Sequence, residues 1–194
     1  MTFIRLLPVS LFSLLLTSKT GLAGEINTPA ADDKQQLTQE ARKIVQEFAT
    51  TLKPKLKKAM LAEGPIGAVN TCAVEAPEIA RTISKQTGWV VKRVSLQARN
   101  NKTARPDAWE KQQLEHFNQI VRSDPSQLEV SLANEKQFRY MKAQLVEPLC
   151  LLCHGETVAP DIMEAIQIHY PNDSATGYQL GDVRGAFSLI KTKL

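Results

Sequence analysis

The chain has 194 residues and a formal net charge of +4, from 24 lysine and arginine residues against 20 aspartate and glutamate residues. This surplus is far smaller than the basic field with which a protein neutralises many phosphates, so composition argues against a nucleic-acid binder. The length suits one domain with its own hydrophobic core and is short for two.

Residues 1–23 have the pattern of a secretory signal peptide. Arg5 precedes an apolar stretch from Leu6 to Leu16, and Gly21-Leu22-Ala23 is typical of a cleavage site. The apolar stretch is too short to span a bilayer about 30 Å thick, and no later apolar run in the sequence is longer. We therefore expect an exported, periplasmic protein with no membrane span after cleavage and a single domain over residues 24–194.

The first half of that domain is predicted to be mainly helical. Apolar residues recur at helical spacing from Asp32 to Glu63, and Gly64-Pro65 is expected to end this helix. Further helix is expected from Pro65 to Gln86. Residues 89–98 alternate between apolar and polar, which predicts a first strand with these residues on its buried side: Val90, Val94, Leu96 and Ala98.

The second half is predicted to supply one more long helix and three more strands. Asp107 with Glu110 three residues later is the pattern of a capping box, and the helix that it begins should end at Ser123-Asp124-Pro125. Residues 128–132 and 137–146 predict a hairpin, and residues 184–191 predict a last strand. The sequence thus predicts an α+β domain, in which a small antiparallel sheet is flanked by helices and preceded by a long N-terminal helix.

Cys150-Leu151-Leu152-Cys153-His154 is the motif with the clearest chemistry. Two thiols can form thioethers with the vinyl groups of a haem, and a histidine directly after them is then held as an iron ligand. A thioredoxin-like dithiol or half of a zinc site would also use C-x-x-C, but neither needs that histidine. We therefore predict one covalently attached haem c, bound through Cys150, Cys153 and His154, and export agrees with such attachment.

Cys72 is left over once two thioethers have formed. Helical spacing in residues 65–77 turns it inward, where a cysteine is by default a small buried hydrophobe. An interior haem offers another role, because a thiolate near ferric iron is stabilised by the metal charge. Several other side chains able to bind iron remain open as the sixth ligand, with His169 the nearest competitor: Met60, Met141, Met163, His116 and His169.

Arginine residues are candidates for pairing with the haem propionates. Arg99, Arg105 and Arg184 could do so because a guanidinium fork matches a carboxylate, although ordinary surface salt bridges are an equal explanation. Of the three, Arg99 is preferred as a cofactor-binding residue.

Five segments together resemble one bacterial family, the PAS-like domains that carry a single c-type haem. The segments are the Cys72 helix ending in Ala76-Pro77, Arg99-Asn100 with residues 105–110, Leu149–Gly155, Tyr170–Tyr178 and Gly181–Ser188. The family was long catalogued as a domain of unknown function, and its members occur alone in the periplasm or as sensory parts of signalling proteins. Asn101 departs from the proline that often follows the Arg-Asn pair in that family.

The resemblance implies axial ligation of the iron by His154 and Cys72, and it implies a role in sensing redox state or a gas, or in carrying electrons. We expect a non-enzymatic module that senses redox state or binds NO or CO and acts on a redox partner or a signalling protein. A periplasmic single-electron carrier is the alternative. A peroxidase-type enzyme is a lesser one, because it would need an open iron position and a nearby His or Arg for proton transfer.

Overall fold

A computed structural model describes residues 31–192, so the predicted signal peptide lies outside the described residues. The secondary-structure elements, in chain order, are α1 Ala31–Thr87, β1 Val90–Val94, α2 Ala108–Ile120, β2 Glu129–Ala133, β3 Gln137–Leu145, α3 Leu151–His154, α4 Pro160–His169 and β4 Val183–Thr192. Short 3-10 turns lie at Pro125–Gln127 and Pro148–Cys150. This is the predicted α+β fold. None of the helices in residues 31–192 combines the length and the apolar character that a membrane-spanning helix needs.

The helix α1 is a hairpin of two arms that meet at Gly64. Gly64 has φ 68° and ψ −161°, which is a glycine conformation, so the predicted helix end is confirmed. We call residues 31–63 the first arm and residues 65–87 the second arm. A 2.6 Å ion pair between Lys55 and Glu75 bridges the arms, and both arms contribute to one apolar core, with Phe48 from the first and Ile79 from the second. The arms therefore run antiparallel.

Substitution of Gly64 tests how much this turn contributes to stability. An added Cβ would meet no atom within 4 Å, so the penalty of Gly64→Ala is conformational and not steric. We expect a loss of about 1–3 kcal/mol in the free energy of unfolding, measured by urea titration. Leu61→Ala is the control on the same turn, because Leu61 is 79 % exposed and should change stability by about 0.5 kcal/mol or less. Equal effects of the two substitutions would contradict the expectation.

The four strands form one antiparallel sheet in the order β1-β4-β3-β2, and helices cover both of its faces. The α1 hairpin packs on the face that carries Val91, Tyr140 and Leu189. Helix α2 packs on the other face, with Leu114 and Phe117 among its buried residues. The predicted hairpin and last strand are confirmed as β2, β3 and β4.

The prediction for the buried side of the first strand is wrong for half of its residues. Val94 and Ala98 are buried, but Val90 is 53 % exposed and Leu96 is 41 % exposed. Val91, on the opposite side, is buried under the α1 hairpin. A prediction from alternating residues assumes that only one face of a strand is buried. Here the α1 hairpin covers one face of the strand and α2 covers the other, each along a different part of its length.

The capping box that begins α2 is confirmed, and it includes a buried ionic cluster. The Asp107 carboxylate accepts from the backbone N–H of Glu110, and the Glu110 carboxylate accepts from the backbone N–H of Asp107 at 2.8 Å. Glu110 is fully buried. Its carboxylate also accepts from Ser188 Oγ at 2.6 Å, and it pairs with Lys92 Nζ at 2.9 Å and Arg139 Nη2 at 3.2 Å. The cluster joins α2 to β1, β3 and β4.

Candidate functional site

The C-x-x-C-H motif lies on two consecutive helical turns between β3 and α4. Cys150 ends the turn Pro148–Cys150, while Cys153 and His154 belong to α3, and all three side chains are half-buried. Cys150 packs with Val146, Ala175 and Tyr178, whereas Cys153 packs with the apolar cluster at α4. These two turns therefore place two thiols and an imidazole on one short helical segment.

The imidazole of His154 is oriented by a backbone carbonyl. Its Nδ1 lies 2.7 Å from the carbonyl oxygen of Ala175 and 3.1 Å from Arg184 Nε. Burial, together with the positive charges of Arg184 and Arg99, lowers the pKa of His154 to about 2, so the ring is neutral and carries one proton. The short contact to a carbonyl, which can only accept, assigns that proton to Nδ1. Nε2 then keeps the lone pair that binds a metal.

The loop before β4 wraps this motif with backbone hydrogen bonds. The N–H of Tyr178 donates to the carbonyl of His154 at 3.0 Å, and the N–H of Gly177 donates to the carbonyl of Gly155 at 2.9 Å. The Tyr178 ring meets the His154 ring edge-on, with centroids 6.4 Å apart. The imidazole is thus fixed through its ring, its own carbonyl and the next residue.

The second arm of α1 brings Cys72 to the same site. Val69, one helical turn before Cys72, packs with Cys153 and with Ile162 and Ile166 of α4. Close by on the same arm, Asn70 Oδ1 lies 2.8 Å from Nε2 of His169. Contacts from an apolar cluster and from a hydrogen bond therefore hold the Cys72 segment against α4 and the C-x-x-C-H motif.

Burial and neighbouring positive charges act in opposite directions on the pKa of the Cys72 thiol. Burial raises its pKa, and the neighbouring positive charges of Arg93, Arg99 and Arg184 act in the opposite direction. Burial also raises the pKa of the Cys153 thiol. Burial therefore outweighs the arginine charges and favours the neutral thiol of Cys72, unless a metal ion lies beside the sulfur.

Arg99 holds the loop before β4 to the C-x-x-C-H motif. Its guanidinium pairs with Asp173, at 3.2 Å from Nη2 to Oδ2, and donates to the carbonyls of Cys153 and Ala175. Both side chains of the ion pair are largely buried, being 12 % and 5 % exposed. These contacts give Arg99 a positioning role, while its pairing with a propionate stays a prediction.

The other candidate sixth ligands lie in different surroundings. Met141 is fully buried in the core beneath α2, and His116 lines a surface groove beside that helix. His169 is exposed, and its Nε2 is bonded to Asn70. Met60 and Met163 are half-buried, on the first arm and on α4. Cys72 lies on the second arm, one helical turn after Val69, which packs with Cys153.

Three contributions to the site were missed by sequence reasoning. The Ala175 carbonyl is a backbone atom and leaves no signal in side-chain type. Asp173 lies in a segment that the family resemblance singled out, but nothing in the sequence pairs it with Arg99. Arg93 sits in a strand, where an alternating pattern predicts a solvent-facing position.

The fold and the site together define a class of protein: an α+β domain whose helical hairpin presents a thiol to a C-x-x-C-H motif. Among the described residues, no group of three or more His, Cys, Asp or Glu is placed to hold a metal ion. The model of the Tll0287-like family matches residues 24–191. The chain therefore belongs to the Tll0287-like family.

A solved structure supports the same fold. The crystal structure of the cyanobacterial heme-protein Tll0287 matches with a TM-score of 0.61 and 24% sequence identity, and the match covers 86% of this chain and 98% of that chain. At this identity the likeness speaks for the fold alone. No curated protein matches the chain.

Proposed function

We propose that this chain is an exported, periplasmic protein with one c-type haem, attached through Cys150 and Cys153 and ligated by His154 and Cys72. The observation that carries the proposal is the hydrogen bond between His154 Nδ1 and the Ala175 carbonyl, because it leaves Nε2 free for a metal beside two thiols. The name of the related heme-protein Tll0287 agrees with this reading. The signal-peptide pattern of residues 1–23 supports export.

The residues present suit a haem of this kind. Two half-buried thiols on adjacent helical turns can form the two thioethers, and a neutral, oriented imidazole follows directly. Cys72 comes from a separate element, and its neighbouring guanidinium groups favour a negative charge on sulfur. Each of the four protein contacts that the proposal needs is thus supplied by a side chain of suitable chemistry.

We further propose that the protein senses redox state or a gas. When bound, the haem would supply a one-electron redox centre that can also bind NO or CO in its ferrous state. A strong positive charge beside Cys72 would stabilise its thiolate, and burial would favour uptake of a proton from solvent by Sγ if that charge fell. Release of Sγ would loosen the second arm of α1 and signal to a partner in the periplasm.

Electron transfer is the second candidate function, and a surface feature favours it. Leu149, directly before Cys150, is 45 % exposed, and Leu152, directly before Cys153, is 43 % exposed. Apolar side chains beside a redox centre can dock a redox partner. Carbon monoxide separates the candidates: a sensor with a releasable Cys72 binds it in the ferrous state, and a carrier with fixed ligation does not. A peroxidase assay of the holoprotein tests the enzymatic alternative, for which we expect only background activity.

Covalent haem attachment is tested by replacing the motif cysteines. In cells that mature c-type cytochromes, the parent protein is expected to keep haem through denaturing electrophoresis, and Cys150→Ser/Cys153→Ser is expected to lose it completely. The pyridine haemochrome spectrum of the parent should indicate two thioethers. Cys72→Ser is the matched control and should keep covalent haem. A parent protein that is stable and exported but free of haem would overturn the proposal.

A further inference from the structure

Three guanidinium groups converge on the candidate haem site, and only one of them is neutralised. Arg184 Nε lies 3.1 Å from His154 Nδ1, and Arg99 donates to the carbonyl of Cys153. Arg93 extends from β1 under the α1 hairpin, close enough for its positive charge to act on the Cys72 thiol. Arg99 is paired with Asp173. Within residues 31–192, neither Arg93 nor Arg184 forms an ion pair with a carboxylate. Guanidinium groups stay charged in proteins, so the site carries two uncompensated positive charges.

Arg93 lies on the face of the sheet that the α1 hairpin covers. In the pairing of β1 with β4 it stands opposite Phe187, and its guanidinium carbon lies 5.2 Å from the centre of the Phe48 ring. Its side chain is half-buried, and no hydrogen bond from its guanidinium to another described residue is found. Burial lowers the pKa of Arg93, and the nearby Cys72 and Tyr170 oppose this shift. The surroundings thus favour an anion beside Arg93.

Arg184 lies on the His154 side of the site and meets only neutral acceptors. Its Nη1 donates to Ser95 Oγ at 3.1 Å and to the carbonyl of Gln97 at 3.3 Å. Its Nε faces Nδ1 of His154 at 3.1 Å, but that atom carries a proton donated to Ala175, so it cannot accept. The guanidinium carbon lies 5.2 Å from the centre of the Tyr178 ring. One edge of this guanidinium therefore lacks a matched acceptor.

We propose that Arg93 and Arg184 bind the two propionate groups of the haem, one each. The inference rests on the proposed haem attachment. A haem carries two propionate carboxylates, and the site offers two guanidinium groups without a carboxylate partner. A guanidinium fork binds a carboxylate through two parallel hydrogen bonds, so the pairing neutralises the charges of both half-buried side chains. Arg99, the residue that sequence reasoning preferred, is already occupied by Asp173 and the motif backbone.

The test is resonance Raman spectroscopy of the holoprotein, because the propionate bending bands respond to hydrogen bonding at the carboxylates. In Arg93→Gln and in Arg184→Gln we expect a shifted propionate band, and in the double variant we expect both bands to shift. The reduction potential should fall in each variant, since an unpaired propionate leaves extra negative charge near the iron. Arg93→Lys and Arg184→Lys keep the charge but lose the fork, so a smaller band shift is expected.

Arg122→Gln is the matched control, because Arg122 pairs with Asp182 at 2.7 Å and its side chain is 63 % exposed. It should leave the propionate bands and the potential as in the parent. The pairing is refuted if haem is attached with parental iron ligation while the propionate bands of both glutamine variants and both lysine variants match the parent. If the parent itself attaches no haem, the proposed function fails, and the pairing fails with it.

Discussion

The Cys72→Ser variant is expected to lose thiolate ligation of the ferric iron. The parent holoprotein should give a low-spin electron paramagnetic resonance spectrum with the narrow spread of g-values that thiolate ligation produces, and the variant should not. Because a thiolate places negative charge on the iron and favours the ferric form, the reduction potential should rise on its loss. The rise should be on the order of 0.1 V, within the roughly 0.8 V range that axial ligands set.

Val74→Ser is the control for this experiment, since it lies on the same arm two residues away and Val74 is 65 % exposed. It should keep the parental spectrum and potential. Identical spectra for the parent and Cys72→Ser would make Cys72 a packing residue. A shared high-spin signal would then favour an open, enzyme-like site. A shared low-spin signal of histidine or methionine ligation would favour electron transfer through another ligand, and His169→Ala would test the first of these.

The Glu110→Gln variant is expected to lose about 3–5 kcal/mol in the free energy of unfolding. Glu110 is fully buried, and its carboxylate balances Lys92 and Arg139 while accepting from Ser188. A neutral amide leaves those cations short of a counter-charge, and its NH₂ group cannot accept the hydrogen bonds that one carboxylate oxygen now receives. Arg139 also forms an ion pair with Asp107 at 2.6 Å. If this pair compensates for the lost charge of Glu110, the loss of stability should fall in the lower half of this range.

Urea unfolding of the parent and the variant measures the loss, and Glu115→Gln is the matched control on the same helix. Glu115 is 52 % exposed and pairs with Lys111 only at 3.8 Å, so the change should be about 0.5 kcal/mol or less. A Glu110→Gln variant as stable as this control would mean that the buried cluster contributes little net stability.

Much of the fold could be predicted because its signals are local. The end of the first helical arm is encoded in Gly64, and the start of α2 in Asp107 and Glu110, so each could be recognised from a few neighbouring residues. The buried side of the first strand could not, because Val91 is covered by a helix distant in sequence. Burial on two faces removes the alternation on which a strand prediction depends.

In the candidate site, too, local features could be predicted from sequence and contacts between distant segments could not. The C-x-x-C-H motif carries its chemistry in five consecutive residues, so it could be recognised from sequence. The approach of Cys72 depends on packing between Val69 and α4, and the tautomer of His154 depends on a carbonyl in a later loop. Arg99 forms an ion pair with Asp173, which is distant from it in sequence. Sequence alone therefore could not show that Arg99 is already paired with a carboxylate.

The strand that completes the sheet, β4, is the last of the four described strands in chain order. β4 lies between β1 and β3, so β1 has no strand partner until residues 183–192 are available. The C-x-x-C-H motif precedes β4 in the chain, and the Ala175 carbonyl and Arg184 join His154 only when the segment leading into β4 has folded. The surroundings of His154 are therefore complete only in a chain whose β4 is paired between β1 and β3.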